Sequence, residues 1–428
     1  MEQDKREVCY SAILVGVDFG KKSEVFAKFE DSMKELEELA QAAEIEVVGQ
    51  MTQPRDSVDV KYYIGKGKVE ELRELAENME VNLIVFNNEL SGSQLRNLED
   101  GIGVTVIDRT MLILDIFANR ARTGEGKLQV ELAQLKYKLP RLINSSINLS
   151  RTGAGIGARG PGEKKLETDK RRIQRKIFEI EHELKEVKHN REVQRKGRLK
   201  SELPIVALAG YTNAGKSTLF NELLKEHKEY TEEKEVFVKN MLFATLDTTL
   251  RKSQLPNGME YLLTDTVGFV SNLPHDLVNA FHSTLEEIKY ADLILHVVDV
   301  SNEKYDLQMN TTQHVLKEIG VGDIPVVTVF NEVDLLEENF VISKESNKIS
   351  ISAKTGYHKQ ELLEKIQSIV CKNRRVTMLI PYVDGSVLND LHNKYRIEEE
   401  VYEEQGTKIV LSVDESDYHK YRKNIIEE

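Results

Sequence analysis

One loop between an apolar strand and a helix constrains this chain more than any other feature. Residues 210–217 read GYTNAGKS, which fits the phosphate-loop pattern G-x-x-x-x-G-K-S. The apolar run PIVALAG at 204–210 precedes it and STLFNELLK at 217–225 follows it, the strand–loop–helix order that this pattern requires. The sequence therefore predicts an α/β domain with a phosphate-binding loop after a buried strand.

Each part of this loop has an expected contact with a nucleoside triphosphate. Backbone N–H groups of 213–218 would surround the β-phosphate at the start of the helix. Lys216 would reach the β- and γ-phosphates, and the Ser217 hydroxyl would bind Mg²⁺. Mg²⁺ is therefore the expected cofactor.

Two further motifs are typical of switch segments. DTVG at 265–268 would use Asp265 to hold Mg²⁺ and the Gly268 N–H to contact the γ-phosphate. FATLD at 243–247 places Thr245 where a switch threonine would bind the same ion. The predicted metal ligands are Ser217, Thr245 and Asp265, and the predicted catalytic residues are Lys216, Thr245 and Gly268.

Two later motifs indicate guanine as the base. In NEVD at 331–334, the Asp334 carboxylate could accept hydrogen bonds from N1–H and N2–H of guanine, which adenine does not offer. Asn331 would brace this loop, and in SAK at 352–354 the Ala353 N–H would contact the base. The phosphate loop, followed along the chain by FATLD, DTVG, NEVD and SAK, predicts a GTPase. The predicted nucleotide-binding residues are Gly210, Tyr211, Thr212, Asn213, Ala214, Gly215, Lys216, Ser217, Thr218, Phe243, Ala244, Thr245, Leu246, Asp247, Asp265, Thr266, Val267, Gly268, Asn331, Glu332, Val333, Asp334, Ser352, Ala353 and Lys354.

Three positions in these motifs are unusual or ambiguous. Glu332 replaces the Lys of N-K-x-D, whose stem normally packs over the phosphate loop, so weaker nucleotide binding is expected. Phe269 stands where many small GTPases have a water-orienting Gln, so hydrolysis should be slow or completed by a partner. Asn213 could help K⁺ act at the phosphates, or it could only stabilise the loop.

The rest of the chain predicts three further units around this domain. Strand-like and helix-like runs alternate through residues 1–127, which indicates a small α/β domain with a mainly parallel sheet. The C-terminal part has strands VTMLIPY and KIVLSV and helices near 386–395 and 416–426. The predicted fold class is α/β: a P-loop GTPase domain at 201–371, the N-terminal α/β domain at 1–127, an antiparallel helical hairpin at 128–200 and a small C-terminal α+β module at 372–428.

The hairpin is predicted from two apolar seams with coiled-coil spacing, which should pack against each other. The loop between them, 151–162, contains Gly155, Gly157 and Gly160 in a G-x-G-x-x-G pattern. No strand precedes these glycines, so a dinucleotide site is not expected. A glycine-rich tip with cations beside it could instead approach a crowded RNA surface closely. The seam residues are Leu128, Leu132, Leu135, Leu139 and Leu142 in the first helix, and Leu166, Ile173, Ile177, Ile180, Leu184 and Val187 in the second.

Charge is distributed unevenly along the chain. The net charge is −13, yet residues 159–200 hold 15 Lys or Arg against 8 Asp or Glu, a local charge of +7. A basic segment on an acidic body favours a dedicated phosphate-facing element, although a solvated helix of mixed charge is the simpler alternative. The charged N-terminus and the two distant cysteines, Cys9 and Cys371, favour a cytoplasmic protein without membrane segments.

Nearly the whole sequence resembles the HflX GTPases, ribosome-associated bacterial members of the Obg–HflX group. The segments that carry the resemblance are DRTMLILDIFANRARTGEGKLQVELAQLKYKLPRL at 108–142 and RGPGEKKLETDKRRI at 159–173, together with the GTPase motifs. Glu332 departs from the family pattern, as does Thr248, where Pro is usual.

The resemblance implies a monomeric switch that binds GTP or GDP and the large ribosomal subunit, and that splits or rescues stalled ribosomes under stress. It also implies that the hairpin tip faces ribosomal RNA. An RNA-remodelling or RNA-modifying enzyme driven by the GTPase domain, or a large-subunit assembly factor, remains an alternative. The candidate RNA contacts are Arg151, Gly155, Gly157, Arg159, Lys164 and Lys165.

Overall fold

The structure is a computed structural model of the 428-residue chain. The residues that it describes are 10–20, 29–150, 161–198, 203–227, 243, 249–266, 268–270, 286–336, 347–371, 374–413 and 415–427. Among these residues, no helix is both long and apolar enough to cross a bilayer.

The N-terminal residues form a four-stranded parallel sheet in the order β2-β1-β3-β4. Strand β1, SAILVGVD, is buried on both faces because helices cover the two sides of the sheet, as is usual for parallel sheets. The elements are β1 (Ser11–Asp18), α1 (Phe29–Ala42), β2 (Glu46–Pro54), α2 (Lys66–Asn78), β3 (Leu83–Phe86), α3 (Gly92–Ile102), β4 (Thr105–Asp108) and α4 (Arg109–Arg120).

A long hairpin follows, made of α5 (Gly124–Ser150) and α6 (Pro161–Arg198). The predicted seams face each other: Leu132 and Ile180 are buried, and Ile173 and Ile177 are half-buried. Lys136 of α5 also forms an ion pair with Glu181 of α6 at 2.7 Å. This apolar seam holds α6 against α5 although the rest of α6 is strongly polar.

The carboxylate of Asp108 joins the hairpin to the N-terminal sheet. It is fully buried, caps α4 by accepting from the Met111 N–H at 3.0 Å, and accepts a hydrogen bond from the Tyr137 hydroxyl. Arg141 lies over the Tyr137 ring and reaches Asp108 at 3.4 Å. The base of the hairpin is therefore fixed to the start of α4.

The GTPase domain contains a six-stranded sheet in the order β10-β9-β8-β5-β7-β6, with β6 antiparallel to its neighbour. The central strand β5 is apolar and buried, and the phosphate loop lies at its carboxyl end. The elements are β5 (Ile205–Gly210), α7 (Lys216–Leu224), β6 (Thr249–Gln254), β7 (Glu260–Asp265), β8 (Leu293–Asp299), α8 (Tyr305–Ile319), β9 (Val326–Asn331), β10 (Lys348–Ser350) and α9 (Lys359–Val370).

The C-terminal residues form an antiparallel sheet, β12-β13-β11-β14, with helices on its buried face. Its elements are β11 (Arg374–Ile380), α10 (Gly385–Lys394), β12 (Ile397–Glu403), β13 (Gly406–Val413), α11 (Glu415–Lys420) and β14 (Ile425–Glu427). The helix predicted near 416–426 is wrong at its end, because the chain turns into the edge strand β14. The glutamate-rich edge strand β12 was not predicted, since glutamate is poor in strands and pairing with β13 decides the outcome.

Candidate nucleotide-binding site

The phosphate loop has the backbone conformation that its glycines permit. Gly215 has a φ of +82° and directly precedes α7, so the helix N-terminus and its free N–H groups point into the loop. A Cβ on Gly215 would lie 2.1 Å from Nδ2 of Asn331, and one on Gly210 would lie 2.2 Å from the Val297 carbonyl oxygen. Asn213 is exposed and also left-handed, at φ +63°.

Lys216 is buried beneath this loop and close to where phosphates would bind. Its ammonium donates to the Tyr211 carbonyl at 2.6 Å and to the Gly210 carbonyl at 3.1 Å. Burial lowers the pKa of Lys216 to about 8, against the opposing effect of Asp265. On the neighbouring strand, burial and then the Lys216 charge lower the pKa of His296 to about 4, so this histidine is neutral at physiological pH. A bound polyanion would raise the pKa of Lys216 back towards its ordinary value.

The two predicted magnesium ligands that the structure describes lie together. The Ser217 hydroxyl donates to Oδ2 of Asp265 at 2.9 Å, and the Asp265 side chain is completely buried at the end of β7. The buried Thr212 hydroxyl has no hydrogen-bond partner among the described residues. A hydroxyl, a carboxylate and a helix N-terminus suit Mg²⁺ held jointly by protein and phosphates, and the bound ion would neutralise charge that develops on the phosphates.

Gly268 of DTVG lies beside the phosphate loop, and the side chain of the next residue, Phe269, turns away from that loop. A Cβ on Gly268 would lie 2.8 Å from Nζ of Lys216, so the Gly268 backbone lies close to the Lys216 ammonium. The Phe269 backbone accepts from the Thr212 N–H at 2.7 Å. The Phe269 side chain is buried in the core with Ile288 and Ile294. Where many small GTPases have a Gln, position 269 therefore contributes no side chain to the predicted nucleotide site.

Asn331 connects the base loop to the phosphate loop. Its Nδ2 donates to the Ala214 carbonyl at 3.1 Å, and its Oδ1 accepts from the Ala353 N–H at 2.9 Å. Asn331 is buried, whereas the Asp334 and Lys354 side chains are exposed, as ligand-facing groups would be. The phosphate loop and the two loops predicted to recognise guanine thus meet at one side chain.

Several predicted residues have other surroundings or lie outside the described residues. The Thr266 hydroxyl donates to the Leu208 carbonyl at 2.6 Å, which is a bond within the sheet, and Ser352 accepts from the Thr355 N–H at 3.2 Å. Thr218 lies in the first turn of α7 and Val333 begins a short 3-10 helix. Lys164 and Lys165 belong to α6. The predicted residues outside the described ranges are Ala244, Thr245, Leu246, Asp247, Val267, Arg151, Gly155, Gly157 and Arg159.

The contact between the N-terminal domain and the phosphate loop was not predicted from the sequence. The Tyr211 hydroxyl donates to Glu35 of α1, which forms a buried ion pair with Arg109 of α4 at 2.6 Å. Lys304, just before α8, forms an ion pair with Asp31 of α1. Asp31 and Glu35 are one helical turn apart on the same face, the one sequence signal that could have indicated this contact.

Two residues next to the predicted switch motifs also pack against the N-terminal domain. Phe243, the first residue of FATLD, is buried and packs edge-on against Phe117 of α4 with ring centroids 4.6 Å apart. Val270, which follows Phe269, belongs to the same apolar cluster as Phe117. Phe243 was predicted to bind nucleotide, but its side chain is part of the N-terminal core.

We expect Gly215→Ala to reduce guanine-nucleotide affinity at least tenfold. The methyl group would have to displace the Asn331 amide and would strain a left-handed residue, at a cost of about 1–3 kcal/mol. Titration with a fluorescent GDP analogue measures the effect. Gly320→Ala is the matched control, since Gly320 is also at φ +82° but has no atom within 4 Å of its added Cβ. Equal affinity of the two variants would contradict the expected role of Gly215.

The mainly parallel sheet, the phosphate loop, the buried Ser217–Asp265 pair and the Asn331 brace define a P-loop GTPase. Family models match in the same order along the chain: "GTP-binding GTPase N-terminal" at 30–118, "GTP-binding GTPase Middle Region" at 120–198 and "50S ribosome-binding GTPase" at 205–332. The chain belongs to the HflX family of GTPases, which hydrolyse GTP. The predicted family, fold class and GTPase activity are confirmed.

Two relatives illustrate this membership. The sequence is 48% identical to GTPase HflX of Caldanaerobacter subterraneus over 90% of this chain and 88% of that protein. It is 39% identical to GTPase HflX of Escherichia coli over 94% of this chain and 93% of that protein. A GTP-binding protein from Sulfolobus solfataricus, solved with GDP, is 25% identical, with a TM-score of 0.45 over 84% of this chain and 98% of that one.

Proposed function

We propose that this chain is a GTP-controlled factor that binds the large ribosomal subunit and splits or rescues stalled ribosomes under stress. The observation that carries the proposal is the match of residues 205–332 to the model described as a 50S ribosome-binding GTPase. In this proposal the protein acts as a monomer in the cytoplasm, with Mg²⁺ held by Ser217, Thr245 and Asp265.

The hairpin supports a ribosomal-RNA partner. Helix α6 spans Pro161–Arg198, and the side chains of Arg171, Arg172 and Arg175 on it are exposed. Such a projecting basic arm on an acidic body suits a phosphate-rich surface, and binding through it should weaken steeply with salt. The glycine-rich tip, with the candidate contacts Arg151, Gly155, Gly157, Arg159, Lys164 and Lys165, would approach the RNA.

Nucleotide would control the binding surface through the switch segments. In this proposal GTP orders the segments of Thr245 and Gly268, and hydrolysis releases them. Phe269 offers no hydrogen bond to water, so a group outside this site would position the attacking water. The large subunit is the proposed source of that group, with K⁺ near Asn213 as a further aid to charge stabilisation.

We expect purified large subunits to raise GTP turnover at least tenfold, because they would complete the water-positioning part of the site. The measurement is phosphate release at fixed salt, with small subunits as the control and with K⁺ exchanged for Na⁺ in parallel. Lys164→Glu/Lys165→Glu should abolish the stimulation and leave turnover without subunits unchanged. Lys185→Glu, an exposed position farther along α6, is the matched control.

Other outcomes distinguish the alternatives. If large subunits that are active towards another factor leave GTP turnover unchanged, the proposal is overturned. Stimulation without separation of whole ribosomes in a sucrose gradient would favour a large-subunit assembly factor. GTP-dependent unwinding or modification of free RNA would instead favour an RNA enzyme driven by the GTPase domain.

A further inference from the structure

Glu332 lies between the base loop and the phosphate loop. It follows Asn331 at the end of β9 and has a left-handed φ of +66°. One of its carboxyl oxygens lies 3.6 Å from the position that a Cβ on Gly215 would take, and the other accepts from the Ser301 hydroxyl at 3.5 Å. The carboxyl group is therefore held against the phosphate loop, at the position where the usual motif has a Lys.

The surroundings of Glu332 are mainly acidic. The end of β8 contributes Asp299, the base loop contributes Asp334, and the SAK loop contributes the opposing cation Lys354. The phosphate loop faces Glu332 with the backbone of Gly215. Burial, followed by Asp299 and Asp334, raises the pKa of Glu332 above its ordinary value. An ionised Glu332 adds a third negative charge where an anionic nucleotide would bind.

We propose that Glu332 sets the affinity of this GTPase for guanine nucleotides, and that its carboxylate weakens their binding without changing the choice of base. The carboxylate repels the phosphates, and the part of the phosphate loop that it faces is the backbone of Gly215. Asp334 keeps the donors of guanine satisfied, so selectivity is expected to survive changes at Glu332. This inference rests on the proposed placement of guanine against Asp334.

The expected change in the Kd for GDP depends on how far each substitution changes the charge at position 332. Glu332→Gln removes one negative charge at nearly constant shape, so the Kd for GDP should fall roughly three- to tenfold. Glu332→Lys reverses the charge and adds a stem that can cover the phosphate loop, so the Kd should fall roughly ten- to hundredfold. The gain should shrink as salt rises, since part of it is Coulombic.

The test is titration of the full chain with a fluorescent GDP analogue at fixed Mg²⁺ and salt. Glu70→Lys is the control, because Glu70 is an exposed residue of the N-terminal domain. This substitution changes the net charge by as much as Glu332→Lys does. Tighter binding by both Glu332 variants, with Glu70→Lys unchanged, is the expected result. Wild-type affinity in Glu332→Gln and Glu332→Lys would overturn the proposal.

A pH series separates the charge from a purely structural role. The carboxylate, which weakens binding, becomes more populated as pH rises, so the ratio of wild-type Kd to Glu332→Gln Kd should grow between pH 4.5, the ordinary pKa of a glutamate, and about 7.5. This pH window lies below the pKa of Lys216, which is about 8. The nucleotide phosphates titrate equally with the wild type and with Glu332→Gln, so their effect cancels in the ratio. A ratio that is constant over the window would overturn the proposal.

One further variant separates this inference from the assignment of the guanine site. Asp334→Asn should shift preference from guanine to xanthine nucleotides, because the amide presents a donor to the extra carbonyl of xanthine. If that shift occurs and the Glu332 variants bind like wild type, the site is correctly placed and only the inference fails. If Asp334→Asn does not alter base preference, the proposed site itself is wrong.

Discussion

Replacing Lys216 with Ala is expected to lower guanine-nucleotide affinity by at least a hundredfold and to abolish measurable GTP turnover. The buried ammonium bonds two phosphate-loop carbonyls and is the nearest described cation to Gly268. Its loss removes charge-assisted bonds to the β- and γ-phosphates in a dry environment, where such bonds are strongest. Fluorescent GDP titration and phosphate release measure the two effects.

Lys225→Ala is the control for this substitution. Lys225 directly follows α7, is exposed, and forms an ion pair with Glu222 at 2.7 Å. Its loss should change stability by less than about 1 kcal/mol and leave nucleotide binding intact. GDP binding by Lys216→Ala within threefold of wild type would refute the assigned phosphate contact, provided that circular dichroism shows both variants folded.

The pH dependence of binding offers a second check on Lys216. Burial lowers its pKa to about 8 in the absence of nucleotide, and bound phosphates would raise it again. Binding above that pH therefore takes up a proton, so affinity should fall by up to about tenfold per pH unit above 8. Proton uptake measured calorimetrically in two buffers tests the sign directly.

Phe243→Ala should detach the segment before Thr245 from the N-terminal domain. Phe243 is 2% exposed and packs against Phe117 and the apolar cluster of α4. Removing a buried Phe side chain costs about 3–5 kcal/mol, because the cavity is only partly refilled. Hydrogen exchange of residues 112–117 should accelerate, and the thermal midpoint of the N-terminal domain should fall by several degrees.

Phe178→Ala is the matched control, because Phe178 on α6 is 70% exposed. It should leave both measurements within error of wild type. If Phe243→Ala behaves like Phe178→Ala, Phe243 does not contribute to this core in solution. If Phe243→Ala has the expected effects, any movement of Phe243 during the GTPase cycle must break its packing with the N-terminal domain.

The polar residues of the predicted nucleotide site could be identified from the sequence, because the constraints on them are local. Lys216, Ser217, Asp265 and Asn331 lie within short motifs whose spacing is set by the loop around a phosphate and a base. The structure brings these residues together with the contacts that such loops require.

Phe269 and the C-terminal strands mark where local patterns fail. From sequence, Phe269 is the neighbour of Gly268, a predicted catalytic residue, yet its side chain packs in the core with Ile288 and Ile294. Strand β12 has the composition of a solvated loop, IEEEVYE, and becomes a strand because β13 offers hydrogen bonds along its length. In both cases a neighbour distant in sequence decides the outcome.

The sequence by itself determined the family, the sheet-and-helix class of the GTPase domain and the chemistry of its phosphate and base loops, since each depends on residues close together in the chain. Only the tertiary structure decided that Tyr211 bonds Glu35, 176 positions away, and that Phe243 completes the N-terminal core. It also placed the Glu332 carboxyl against the phosphate loop. Contacts of this kind form when separate elements pack. The spacing of Asp31 and Glu35 marks one face of a helix, but no motif in either segment identifies the partner of that face.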